Sequence, residues 1–502
     1  MTKKLHDCSF VQLHHRLHIY FSATPLWYRR GLRRGGSKSA DAPRPQIRRL
    51  REGLKRMHKV INDPEYTALC KEYKYRKQRA EKMDDRRKQF AAVYDRHSYS
   101  EYSMHAYVAS LHPKYCTLGI DECQKLATRA FRAIEKVRTH QAGKVRFLSH
   151  AKGTSFEGKS YKSVLHFNRS KMVVCLGRGN EYEIIIPRDD QYRMQCLKDR
   201  VKYVRILKRI IRGKERWYAQ LVMEGTPPMK NLKFGEGTQG LDEGTSTIAS
   251  VTDDSALLVE LAPECKPNEA KMKRMQRAMD RSRRAMNPEN YNPCGTIKKG
   301  RHEWKDSRRY RKLKQKYAEL SRKQQVYRKQ SHCILAKLLI ARGSDIRVER
   351  MSVKGLARRS KKQTINSKNG RIRSKKRYGK TIQRRAPALL ISIIDQKLHQ
   401  TGKSILYVDT WKVKASQYNP LDGTCKKKDL KDRMILLGKD ASSQDIIVQR
   451  DLLSAYLIQH TNADGMHINK RSAYDDFQNF KSNQDAEVAR LHKTGQLSWY
   501  IN

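Results

Sequence analysis

The spacing of hydrophobic and polar positions changes along the chain, and each change marks a part. From 46 to 142, apolar residues recur every three or four positions among many charges. They do so in "IRRLREGLKRMHKVI", "YTALCKEYKYRKQRAEKMDDRRKQFAAVY" and "GIDECQKLATRAFRAIEKVRTHQ". That period predicts amphipathic helices with a solvated basic surface. In the third, Leu126, Ala127, Ala130, Phe131 and Ala133 are expected to share one face. Between 143 and 230 the period falls to two. "KSVLHFNR", "KMVVCLGRG", "EYEIIIPR", "KYVRILKRIIRG" and "RWYAQLVMEG" read as short strands divided by Gly, Asn and Asp turns, which predicts a small β-barrel.

Beyond 230 strands and helices alternate. "TQGLDEG" and "STIASVTDDSALLVEL" read as strands, the latter stretch turning tightly at Asp253, Asp254 and Ser255. A basic helical stretch, 268–342, is interrupted by "NPENYNPCGTIKKG". "SDIRVERMSVKGL" predicts a strand, "SKKQTINSKNGRIRSKKRYGKTIQRR" a flexible basic segment, and "APALLISIIDQKLHQTG" an apolar helix with a Gly stop. "SILYVDTW" predicts a strand and "VQRDLLSAYLIQH" a helix with Asp451 near its start. From about 470 the chain is polar and is expected to be poorly ordered. Residues 1–45, Arg-rich and acid-poor, read as a disordered basic tail or an overlong start rather than a transit peptide. There is no internal repeat, no Walker-type Gly-rich loop and no dinucleotide fingerprint.

Charge narrows the function. The 502 residues hold 108 Lys and Arg against 50 Asp and Glu, a net charge of +58 that calls for a polyanionic partner, nucleic acid above all. No long apolar run predicts a membrane helix. Ten cysteines are scattered without one Cys-x-x-Cys pair, so they read as reduced thiols, and no zinc finger or ribbon is expected.

Against that charge, three acids stand in apolar settings. Asp242 lies in the strand "GLDEG", Glu349 at the end of "IRVER", and Asp451 at the opening of "DLLSAYLI". An ionised carboxylate there is costly unless it is paired or metal-bound. Taken singly, each could pair with a neighbouring arginine: Arg347 and Arg350 flank Glu349, and Arg450 precedes Asp451. Taken together, three clustered acids repel one another and call for cations. Mg²⁺ favours carboxylate oxygens, and two such ions can clamp a phosphodiester displacement. Glu243 should point to the opposite face of its strand and is read as non-catalytic. Strand with Asp, hairpin, insertion, strand with Glu, helix, strand and final helix with Asp is the element order of an RNase H-like fold.

In that order the three stretches resemble the RuvC motifs of a known family. "GLDEGTSTIASVTDD", "IRVERMSVKGL" and "VQRDLLSAYLI" are similar to the first, second and third motifs of TnpB-like transposon-encoded nucleases and the compact type V CRISPR effectors related to them. "CQKLATRAFRAIEKV" with "GKSYKSVLHFN", and the stretch from "SKNGRIRSKKRYGKTIQRR" to "HQTG", also resemble the family, and the likeness runs from about 50 to 460. The resemblance implies a multidomain α+β protein. Its expected parts are a basic segment at 1–45, a helical recognition lobe at 46–142, a β-barrel wedge domain at 143–230, a RuvC nuclease domain at 231–470 and a polar tail at 471–502. It implies an RNA-guided DNA endonuclease with Asp242, Glu349 and Asp451 as catalytic and metal ligands for about two Mg²⁺ ions. The implied partners are a guide RNA and double-stranded target DNA, with one or two copies of the chain on the RNA, in a prokaryotic cytoplasm near the nucleoid. The helical insertion 268–342 would lie on the guide–target duplex, with Arg277, Arg281 and Arg284 on one face.

The chain departs from the family at 412–447, where paired Cys-x-x-Cys motifs usually form a zinc ribbon and only Cys425 remains. This segment is expected to be a degenerate ribbon without zinc, touching a nucleic-acid strand through Lys412, Lys414, Gln417, Lys426, Lys427 and Arg433. Tyr107, Tyr161, Trp217, Tyr218 and Trp411 are candidates for base stacking or for core packing. Rival readings are a guide-free DDE-type transposase, a guide-directed binder that does not cut, and a structural RNA-binding protein.

Overall fold

The computed structural model describes residues 16–21, 59–60, 62–75, 83–115, 119–145, 155–177, 180–187, 189–225, 227–228, 232–293, 295–356, 364–365, 372–373, 378–426, 432–440 and 442–501. The chain divides into two compact units, Met1–Pro228 and Met229–Asn502.

In the first unit, the described residues form helices α1 (Pro64–Tyr75), α2 (Met83–Arg96), α3 (Glu101–Tyr115) and α4 (Ile120–Arg138) ahead of most of a sheet. The period-three-four reading places them, although most of "IRRLREGLKRMHKVI" lies outside the described residues. The buried face of α4 is Cys123, Ala127, Ile134 and Val137, with Ala130 and Phe131 packed against the same core. Leu126 is 45% exposed, contrary to the expectation, because it sits one position off the stripe that Ile134 extends.

The strands are β1 (Arg16–Phe21), β2 (Ser155–Glu157), β3 (Leu165–Asn168), β4 (Val173–Leu176), β5 (Glu181–Ile185), β6 (Val201–Ile211) and β7 (Lys214–Met223), with a short helix α5 (Gln191–Cys196) between β5 and β6. They form one sheet in the order β2-β6-β7-β1-β5-β4-β3, every pair antiparallel. The five strands expected from period two are all present. β1 falls in the expected basic tail and instead fills the place between β7 and β5, which would otherwise be two open edges. The rest of the 1–45 segment lies outside the described residues.

The expected barrel does not close. The sheet curls until Gly158, just after β2, donates its N–H to Val204 O on β6 and faces Leu165 O on β3, but the two short edge strands β2 and β3 form no ladder with each other among the described residues. Leu165, Val204, Ile206, Trp217, Ala219 and Leu221 fill the concave core. Lys125 of α4 pairs with Glu157 of β2 at 2.9 Å, and Arg205 of β6 pairs with the same carboxylate at 2.5 Å.

The second unit is built on β8 (Thr238–Glu243), β9 (Thr247–Thr252), β10 (Ser255–Glu260), β11 (Asp345–Glu349) and, after a two-residue-strand hairpin β12 (Thr364–Ile365) and β13 (Ile372–Arg373), β14 (Leu406–Val408). The five-stranded sheet runs β10-β9-β8-β11-β14; the first three strands are antiparallel, and β8, β11 and β14 are parallel. β9 is buried at every position, covered on both faces; the hydroxyls of its Thr247, Ser250 and Thr252 are satisfied by Tyr500, Gln239 and Ser255 O.

Between β10 and β11 run α6 (Lys266–Met286) and α7 (Arg308–Arg342). The intervening loop is knitted by Asn287, which bonds Arg283 O and both the N–H and O of Lys305, and by Asn290, which bonds Glu303 O. After β11 come the short helices α8 (Val353–Leu356) and α9 (Gly379–Arg385), then α10 (Pro387–Leu398) and α11 (Thr410–Val413). Of the basic stretch expected to be flexible, the described residues form β12, β13 and α9, and most of the rest lies outside the described residues. α7 and α10 cover one sheet face through Ala336, Leu339, Ile340, Leu390 and Ile394 against Leu241, Ile346 and Val348.

The other face carries α12 (Arg450–Gln459), preceded by the hairpin β15 (Met434–Lys439) and β16 (Asp445–Gln449). Gly240 explains how closely α12 lies on β8: a Cβ there would fall 1.9 Å from Ala455 O and 2.5 Å from Gln459 N. In the expected degenerate ribbon, 412–447, the described Val413, Ala415, Tyr418, Ile435 and Leu437 join the same apolar core.

The expected polar, poorly ordered tail is instead three helices, α13 (Lys470–Asp475), α14 (Phe477–Thr494) and α15 (Ser498–Ile501). Positions 473, 477, 480, 484, 487 and 491 form one helical stripe. Four of them, Ala473, Phe477, Phe480 and Leu491, are apolar and buried. The other two disguised the pattern. Gln484 accepts the N–H of Gln449 at 2.6 Å, and Glu487 accepts the N–H of Leu258, on the edge strand β10, at 2.8 Å. These polar side chains are buried because they satisfy backbone donors that would otherwise be orphaned.

Candidate active site

Three elements bring three acids to one face of the five-stranded sheet. Val348 and Leu241 are register partners in parallel β11 and β8, so Glu349 and Asp242 follow side by side at the ends of adjacent strands. Strand alternation puts Gly240 and Asp242 on the α12 face and Leu241 on the opposite one. Asp451 occupies the first turn of α12, where the helix dipole favours an anion, and the helix is held there by Gln449, whose side chain caps Leu452 N at 2.8 Å.

Their electrostatics follow from this convergence. The Asp242 carboxyl is pushed well above the usual carboxylate range, first by burial and then by the charges of Asp451 and Glu349; Arg450 and the Ser454 hydroxyl offset part of the rise. Burial raises Glu349, and the Thr410 hydroxyl at the start of α11 offsets some of it. The arginines beside Glu349 do not take it. Arg347 instead bonds the carbonyls of Gln459 and Thr461 at the end of α12, and Arg350 lies over the Tyr407 ring at 4.9 Å.

Asp451 is held differently. Arg450 bonds its Oδ1 at 3.1 Å, Arg433 its Oδ2 at 3.4 Å, and the Tyr500 hydroxyl of α15 donates to Oδ2 at 2.5 Å. The β15–β16 hairpin sets this up, since Arg450 N bonds Arg433 O at 2.8 Å and faces the two guanidiniums toward one carboxylate. Burial, and then the charge of Asp451, keep the Tyr500 hydroxyl well above its ordinary range, so it stays a donor.

Three hard-oxygen donors converge here, and the charges of two of them, Asp451 and Glu349, push the buried Asp242 carboxyl upward; a divalent cation relieves that repulsion, so the donor set fits Mg²⁺. The side chains stand apart from a closed coordination cage: among the described residues no three His, Cys, Asp or Glu are grouped tightly enough to hold one ion. Glu243 leaves the cluster for the opposite sheet face, as expected, and burial pushes its carboxyl up to about 7.

The expected nucleic-acid contacts are placed as follows. Arg277, Arg281 and Arg284 are exposed on α6, whose Met272, Met275 and Met279 turn inward. Lys412, Lys414 and Lys426 are exposed, Gln417 is half-buried, and Lys427 lies outside the described residues. Arg433 is the exception, engaged with Asp451 and Tyr500. Of the candidate stacking aromatics, Trp217 is buried and Tyr107 packs against the helical core. Trp411, one residue beyond Thr410, is 86% exposed. Tyr161 is 42% exposed and carries the Arg200 guanidinium at 4.4 Å. Sequence reasoning missed Thr410, Ser454 and Tyr500. Thr410 stands directly after Asp409 in an N-cap pattern that could have drawn notice, whereas nothing local in "QLSWYIN" marks Tyr500.

No protein-family model matches the chain, and no curated protein matches it. Among solved structures it is similar to a Cas12f1–sgRNA–target DNA complex, with 12% identity and a TM-score of 0.40 over 81% of this chain and 80% of that one. It is also similar to a CRISPR-Cas12f ternary complex, with 11% identity and a TM-score of 0.23 over 87% of this chain and 85% of that one. Likeness at that level transfers neither chemistry nor residue roles.

Proposed function

We propose that the chain is an RNA-guided DNA endonuclease that cuts target DNA at a single site built on Asp242, Glu349 and Asp451. The observation that carries this reading is the meeting of three acids, from stretches more than a hundred residues apart, on one face of a mixed sheet in an otherwise strongly basic chain. The sheet order β10-β9-β8-β11-β14, with α12 crossing the β8 strand, agrees with the RNase H-like element order read from the sequence.

In this reading Asp242 and Glu349 offer oxygens at adjacent strand ends, and Asp451 completes the set from the helix. Bound there, Mg²⁺ supplies the charge that stabilises the attacking and leaving oxygens of a phosphodiester displacement. The chain's own residues do the rest. Thr410 steadies Glu349, Arg433 and Arg450 hold Asp451, and the mutual repulsion of the acids keeps the site selective for cations. A guide RNA supplies sequence by base pairing, while the protein holds the heteroduplex by its backbone. Arg277, Arg281 and Arg284 on α6 suit that backbone, and Lys412, Lys414 and Trp411 suit a strand near the site.

The test is sequencing of the RNA that copurifies with the chain expressed beside its native flanking DNA. One dominant structured RNA with a variable end, and Mg²⁺-dependent cutting of DNA matching that end, is the expected result. Strand-transfer products without RNA would move the assignment to a guide-free transposase, and a heterogeneous RNA mixture without cutting would leave charge-driven binding only.

A further inference from the structure

The tail that the sequence leaves as polar and unstructured carries a residue bonded to the third acid. Tyr500 is buried, and its hydroxyl uses all its hydrogen-bonding capacity in one place. Its single O–H donates to Asp451 Oδ2 at 2.5 Å; its oxygen accepts from Arg433 Nη1 at 2.9 Å and from Thr247 Oγ1 at 3.0 Å. A phenol has one donor and two acceptor lone pairs, so with both lone pairs taken the proton has only the carboxylate to go to. The ring itself lies under the Arg433 guanidinium at 4.1 Å. Tyr500 therefore ties together the sheet through Thr247 on β9, the β15 hairpin through Arg433, and α12 through Asp451. Arg450 fixes the other carboxylate oxygen.

Building on the nuclease reading above, we propose that Tyr500 is a positioning residue for the cutting reaction. It orients the Asp451 carboxylate toward the Asp242–Glu349 side, which makes α13 to α15 a working part of the site. A ligating carboxylate that is itself hydrogen-bonded holds its metal in a fixed geometry, and losing such a partner typically costs about 10- to 100-fold in metal affinity or activity.

Tyr500→Phe keeps the ring and its contact with Arg433 and removes only the hydroxyl. Mn²⁺ binding to the purified protein, followed by the paramagnetic resonance of free Mn²⁺, is read without substrate, and cleavage is titrated with Mg²⁺ in parallel. We expect both metal midpoints to rise about 10-fold, with cleavage recovering at saturating Mg²⁺. Thr247→Val, which leaves Tyr500 in place but frees its oxygen to turn, should move the midpoints the same way by less. Phe480→Leu, a destabilising change in the same helical segment, should lower the melting temperature and leave the metal midpoints alone. If Tyr500→Phe binds and cuts like the parent, or loses activity only through a lower melting temperature with unmoved midpoints, the positioning role is wrong and the nuclease reading stands. If the parent binds no Mn²⁺ and cuts nothing with its guide, both fall together.

Discussion

Gly240 is where the fold and the site depend on a single missing atom. A Cβ added there meets Ala455 O at 1.9 Å, Gln459 N at 2.5 Å and Gln459 Cβ at 2.9 Å. Two of these are backbone atoms of a helix buried along nearly its whole length, so no side-chain rotation relieves the contact. Gly240→Ala must push α12 off β8 by more than an ångström, breaking packing around Leu452, Ala455, Tyr456 and Ile458. Overpacking of a tight core typically costs 1–3 kcal/mol, and a backbone collision belongs at or above the top of that range, about 3–5 kcal/mol. In a unit of this size that is a drop of roughly 10 °C in melting temperature. The same displacement carries Asp451 away from Asp242, so guided cleavage should fall further than stability does. Gly438→Ala is the matched control: nothing lies within 4 Å of a Cβ there, and its backbone angle is not in the left-handed region. It should be neutral or stabilise by about 0.4–1 kcal/mol. Calorimetric melting of the two variants beside the parent decides the matter. A Gly240→Ala protein melting within 2 °C of the Gly438→Ala protein would refute the close approach of α12 and β8.

Further consequences can be measured separately. Phe480 is 1% exposed and stacks on Tyr456 with ring centroids 4.4 Å apart, so Phe480→Ala should cost about 3–5 kcal/mol in denaturant unfolding, where a truly disordered tail would show no change. Trp411→Ala should weaken binding of single-stranded DNA by about 1–3 kcal/mol without moving the melting temperature, and Trp411→Phe should recover much of it; equal affinity of all three proteins would remove Trp411 from the nucleic-acid path. Burial pushes the Glu157 carboxyl up, but Lys125 and Arg205 outweigh it and hold the group below its ordinary value. A depressed acid contributes stability above its unfolded pKa, near 4.3, that is lost as pH falls through the folded one, so Lys125→Met should raise the pH at which the first unit acid-unfolds. An unchanged acid midpoint would show that the pair contributes nothing.

Strict local periods were legible in the sequence. β3 to β10, α6, α7, α10 and α12 follow from alternation or from spacings of three and four, and the three acids stood out because apolar neighbours made them expensive. Features set by distant partners were not legible. Gln484 and Glu487 interrupt the apolar stripe of α14 because they satisfy the N–H groups of Gln449 and Leu258, which are far away in sequence. On α4 Leu126 is exposed while Ile134, not singled out from the spacing, is fully buried, because the packed helices choose the buried edge. β1 gains its strand from two edges that need filling, and curling rather than period decides that the first sheet stays open. At the site, the arginines next in sequence to Glu349 turn elsewhere, while Asp451 is met by Arg433 and Tyr500, each brought by a separate element.

The most direct measurement is cleavage of a DNA duplex matched to the copurified guide, in Mg²⁺, by the parent and by Asp242→Asn, Glu349→Gln and Asp451→Asn, with guide RNA affinity measured on the same preparations. Cutting by the parent, none by any of the three variants and unchanged RNA affinity is the predicted result. Full cutting by any one variant would contradict the three-carboxylate site.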